Sequence, residues 1–83
     1  MYDYLMTFRS LTYAQRAEKL LIRHGMRASV VRTPPSLSRE GCGFAVRLRR
    51  AELKAASELL RAAGLMPRRV FKYSGEGFEE TGL

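Results

Sequence analysis

Residues 17–25, AEKLLIRHG, and residues 56–64, ASELLRAAG, are two versions of one pattern. Ala17, Leu20, Leu21 and Gly25 return as Ala56, Leu59, Leu60 and Gly64, each 39 positions on, and Val31 returns as Val70. Apolar residues spaced three and four apart and closed by a glycine describe an amphipathic helix with its stop. Outward from the first copy, Thr12 with Gln15 reads as a capping box that opens the helix. The second helix is expected from about Ala51.

Between and around these helices lie four short strand-like segments. Asp3 to Phe8 (DYLMTF) is apolar and aromatic, and Ala28 to Thr33 (ASVVRT) is rich in β-branched residues until Pro34 and Pro35 end it. Phe44, Val46 and Leu48 alternate with Ala45, Arg47 and Arg49, which predicts a strand with one apolar and one basic face. Val70 to Tyr73 (VFKY) supplies the fourth. The order is βαββαβ, a duplicated split βαβ unit. It predicts an α+β, ferredoxin-like fold with a four-stranded antiparallel sheet, the first and third strands central and two helices on one face. The other face is expected to stay open, which suits a ligand or a second copy of the chain.

The chain has 83 residues and a formal charge of +7. A chain this short buries only about 60% of its unfolded surface, so one small domain is expected, without a deep cleft. All 15 Lys and Arg residues precede residue 74, whereas Glu76, Glu79 and Glu80 follow it. Residues 1–73 therefore read as a basic domain, and residues 74–83 as an acidic, Gly-rich tail, frayed or lightly docked on it. No run is long and apolar enough for a membrane span, and MYDYLMTFRS lacks the basic start and apolar stretch of a signal peptide. A soluble, cytoplasmic protein is expected.

Chemistry-bearing residues are few. Cys42 is the only cysteine and His24 the only histidine, which excludes an internal disulfide and leaves a zinc site without ligands. No cofactor is expected. Cys42 stands between Gly41 and Gly43, in a loop (PPSLSREGCG, 34–43) longer than a hairpin needs. Glycine on both sides lets another molecule approach the sulfur closely. If the strands at 3–8 and 44–49 pair antiparallel, Cys42 enters its strand beside Arg9, Ser10 and Thr12 at the start of the first helix. That helix terminus, with Arg9 and Arg39, would favour a thiolate. His24 belongs to the far end of the same helix, so a Cys/His hydrolase within the chain is rejected. Glu18, Glu52 and Glu58 read as members of ordinary surface ion pairs.

YLMTFRSLTYAQRAEKLL (4–21), TPPSLSREGCGFAVRL (33–48) and ASELLRAAGL (56–65) together resemble the selenium/sulfur (Se/S) carrier protein-like domain family over about residues 3 to 73. The first stretch looks like that family's opening strand and helix, the second like its proline-containing loop and Cys-Gly motif. The resemblance implies that Cys42 carries sulfur or selenium as a persulfide or selenosulfide. Partners would be a donor such as a cysteine desulfurase and a thiol or selenium-using acceptor protein. A carrier of this kind is expected rather than a stand-alone enzyme. The sequence departs from the family at Arg39, Glu40 and Gly41, where small hydroxyl residues are more usual before the cysteine.

Two other readings compete. Glu40-Gly41-Cys42-Gly43-Phe44 can be laid on the third-strand motif of an RNA-recognition domain, but Glu40 replaces the phosphate-binding cation and Cys42 the first stacking aromatic. Exposing Phe44 would also turn Arg47 into the core, whereas the opposite phase buries Phe44, Val46 and Leu48. Only weak, nonspecific contact of Arg47 and Arg49 with nucleic acid is expected. The third reading is a ligand-sensing or protein-interaction module without covalent chemistry. In the carrier reading, Arg39, Arg47, Arg49, Arg68 and Arg69 form a basic docking surface.

Overall fold

Helix α1 (Leu11–Arg23) begins where Ser10, in extended conformation, turns its Oγ back to accept from the Tyr13 amide at 3.3 Å. The cap is thus Ser10, and the expected capping box at Thr12 is not used, because Thr12 already lies in the first turn. The computed structural model describes residues 3–34, 37, 43–75 and 77–81. In chain order they form β1 (Asp3–Phe8), α1, β2 (Ala28–Arg32), β3 (Phe44–Arg49), a 3-10 turn (Arg50–Glu52), α2 (Leu53–Ala63), β4 (Arg69–Tyr73) and β5 (Phe78–Thr81).

The repeated helices end in the same way. Gly25 (φ 83°) and Gly64 (φ 72°) adopt the left-handed conformation. Around them Met26 N–H reaches Leu21 O at 3.0 Å, and Leu65 N–H reaches Leu60 O at 2.8 Å. These are matching Schellman closures. Of the repeated apolar positions in the helices, Ala17, Leu21, Ala56 and Leu60 are fully buried, and Leu20 and Leu59 are partly buried against the same core. The echo fails at its last member: Val70 belongs to the core beneath the helices, but Val31 faces the other side of the sheet, and Val30 packs where the repeat predicts Val31. A one-residue difference after the glycine is enough, since side chains alternate faces along a strand.

The sheet is antiparallel throughout, in the order β2-β3-β1-β4-β5. Five strands replace the expected four. The fifth comes from the segment read as a tail: Ser74 N–H bonds Gly77 O at 3.1 Å, Tyr73 pairs with Phe78, and Phe71 pairs with Glu80. Arg69 on β4 donates to the Glu80 carboxylate at 2.6 and 3.1 Å, so an acidic residue of the segment expected to be frayed or lightly docked answers a basic one on the neighbouring strand.

The helices cover one face. Met6, Phe8, Val46, Leu48 and Val70 pack there against Ala14, Ala17, Leu21, Ala56 and Leu60. The opposite face is not bare: Leu5, Ala45 and Phe71 are buried on it, with Val31, Leu37 and Phe78 packed against them. Leu37 comes from the 34–43 loop, where its amide bonds Pro34 O at 2.9 Å. Two helix glutamates also depart from expectation. Glu18 accepts from the Val30 amide at 3.0 Å, and both oxygens of Glu52 accept from the Arg27 amide at 3.3 Å. These carboxylates satisfy backbone donors at and just before the edge strand β2, which blunts that edge.

Candidate functional site

The root of the long loop is fixed by backbone pairing. Phe8 opposes Phe44, Arg32 opposes Phe44 from the other side, and Thr33 N–H donates to Gly43 O at 3.0 Å. The end of β1, the end of β2 and the start of β3 therefore meet at one end of the sheet, from which α1 departs two residues later. Antiparallel pairing of β1 with β3 brings Gly43, Arg9, Ser10 and Thr12 to that same end. Cys42, Gly41 and Arg39 lie outside the described residues.

This end of the sheet is electropositive. The first turn of α1 contains no acidic residue, and its leading amides have no intrahelical acceptor. Arg9 lies over the Tyr13 ring at 4.8 Å and Arg16 at 5.9 Å, a pair of cations that share one aromatic ring near the helix start. A negative group is stabilised in such a place by the helix dipole and by both guanidinium groups.

One group here escaped the sequence reading. Thr33 is 5% exposed, and its Oγ1 has no hydrogen-bond partner among the described residues. Nothing in TPPS distinguishes a buried threonine from a solvated one. Leu37 was legible in principle, as the only apolar residue between Pro35 and Gly41 other than proline.

His24 sits at the opposite end of α1, with Nδ1 3.0 Å from Leu20 O, so a protonated Nδ1 donates to a carbonyl of the last turn. Its place is that of a helix-terminal residue, away from Gly43. Phe44 packs on the helix side, while Arg47 and Arg49 are exposed on the other. The strand phase required for a stacking Phe44 is not the one adopted. Of the basic surface residues, Arg69 is already engaged by Glu80 and lies 5.1 Å over the Phe71 ring.

Over residues 3–72, from β1 into β4, the chain matches the family described as "Putative Se/S carrier protein-like". It belongs to this family. The matched span includes Cys42, Gly43 and the whole 34–43 loop, and it stops before β5. No curated protein and no solved structure matches the chain. Membership of a carrier family implies exchange with donor and acceptor proteins in general. Among the described residues no three His, Cys, Asp or Glu side chains gather as metal ligands, and no helix is long and apolar enough to cross a membrane.

Proposed function

We propose that this chain carries sulfur or selenium on Cys42 and passes it between proteins. The observation that carries the reading is the family match across residues 3–72, within which Cys42 is the sole thiol. The electropositive end of the sheet at Gly43 supports it, because a thiolate, not a thiol, is the nucleophile. In the proposed step the Cys42 thiolate attacks the outer sulfur of a donor persulfide. A new S–S bond forms at Cys42, the donor's S–S bond breaks, and the donor leaves as a thiolate. The acceptor's thiolate repeats the exchange. Gly41 and Gly43 leave room for the incoming sulfur, and Ser10, Thr12, Arg9 and Arg39 supply the electrostatic setting. The framework proposed for this site is a ferredoxin-like core, β2-β3-β1-β4 with α1 and α2, to which β5 is an addition; the strand order supports that assignment.

The test is intact-mass analysis after incubation with a cysteine desulfurase and cysteine, or with a selenium donor. The wild-type chain should gain one reducible adduct and deliver it to a second thiol protein. Cys42→Ser should remain folded and unmodified. An adduct that forms no faster than on an unfolded peptide, SREGCGFAV, would show that the fold contributes nothing to the thiol.

A further inference from the structure

On the sheet face away from the helices, a half-open cavity of about 430 Å³ crosses the strands. This lies within the range of about 300–1,000 Å³ typical of small-molecule sites, although a chain so short was not expected to form a cleft. Leu5, 4% exposed on the central strand β1, forms its floor. On one side stand Val31 and Pro34; on the other, Tyr73 and Phe78, whose rings lie 5.0 Å apart and inclined at 49° across the β4–β5 hairpin. Arg47 is the charged lining residue whose side chain shares this face, since Arg32, which also borders the cavity, is paired with Phe44 and turns to the helix side; among the described residues no acidic side chain lines it.

Polarity is thus separated along the cavity. The aromatic pair belongs to β4 and β5, and the Arg47 guanidinium to β3, on the far side of β1. From β3 to β4 is two interstrand spacings, about 10 Å. A ring system that packs on Tyr73 and Phe78 and carries an anion on a short arm would place that anion at the Arg47 donors. A guanidinium has five N–H donors, so Arg47 can serve such an anion alongside its other contacts. We infer that this cavity binds a small aromatic anion, with the ring against Tyr73 and Phe78 and a carboxylate or phosphate at Arg47. The inference stands on the cavity alone and holds whether or not Cys42 carries sulfur.

The experiment is an amide-shift NMR titration of the full chain with indole-3-acetate and with adenosine monophosphate, each against its neutral counterpart, indole-3-acetamide or adenosine. Saturable shifts at Leu5, Val31, Arg47, Tyr73 and Phe78 are expected, with a Kd of about 10 μM to 1 mM for ligands of this size. The better of the two anions identifies a carboxylate or a phosphate as the group bound. Neutral ligands should bind about five- to tenfold more weakly, a preference that Arg47→Gln removes and Arg32→Gln leaves in place. Both arginines are exposed, so each single variant should keep its fold, and Tyr73→Ser should weaken the acid and the amide alike. Equal affinity for acid and amide, shifts mapping elsewhere, or no saturation at millimolar ligand would overturn the inference. So would a short RNA oligomer that binds more than about tenfold tighter than the mononucleotide, since the face would then be a strand-binding surface.

Discussion

Thr33 separates two kinds of residue-level information. Its amide is paired to Gly43, yet its buried Oγ1 has no partner among the described residues. A buried hydroxyl without a hydrogen bond costs about 1–3 kcal/mol. Thr33→Val, which keeps the shape and removes the hydroxyl, should therefore stabilise the chain by about 1 kcal/mol, read from the urea midpoint at unchanged m-value. Thr33→Ser keeps the unpaired hydroxyl, loses a methyl group and should destabilise. A Thr33→Val chain less stable than wild type would mean that the hydroxyl is hydrogen-bonded after all. Such features are invisible in sequence because burial at a strand end depends on what the following loop covers. The candidate thiol was legible for the opposite reason: one cysteine between two glycines stands out without any knowledge of packing.

At the scale of elements, periodicity located both helices and β1 to β4, because each has one dominant apolar face and a clear stop. It failed where a strand is apolar on both faces or on neither. Leu5 and Phe71 alternate with Met6 and Val70, so their second, smaller cluster was hidden inside an ordinary apolar run. β5 was missed because FEET carries two glutamates, and its pairing depends on Arg69 and on Phe78 packing beside Tyr73. Removing residues 74–83 should cost about 2 kcal/mol, chiefly the burial of Phe78, since an exposed ion pair such as Arg69–Glu80 contributes under about 1 kcal/mol. It would also bare the β4 edge, with Val70 and Phe71 beside it. The check is a lower urea midpoint together with association that rises with concentration in sedimentation. A truncated chain that is monomeric and as stable as the full one would show β5 to be merely an appendage. Glu80→Gln alone should leave both properties nearly unchanged.

For the whole molecule, the consequence of charge depends on where the acids are spent. Glu18 and Glu52 accept backbone amides and Glu80 holds Arg69, so three of the 8 acidic side chains are committed to internal partners. Arg47 and Arg49 are exposed on the sheet face away from the helices. A net charge of +7 on so small a body steers acidic partners, and the effect belongs to the encounter more than to the final contact. The association rate with an acidic donor protein should accordingly fall by about tenfold or more between about 0.05 and 0.5 M salt, as the screening length shortens from beyond about 10 Å to a few ångströms. The dissociation rate should change little. Stopped-flow association at several salt concentrations measures this directly. Arg47→Glu with Arg49→Glu should lower the association rate and flatten its salt dependence, whereas Arg69→Glu would confuse the result by replacing the Arg69–Glu80 ion pair with two neighbouring acids on β4 and β5. If salt acts mainly on dissociation, or the charge reversals leave the rate untouched, the basic face is a solvated surface and partner docking lies elsewhere on the chain.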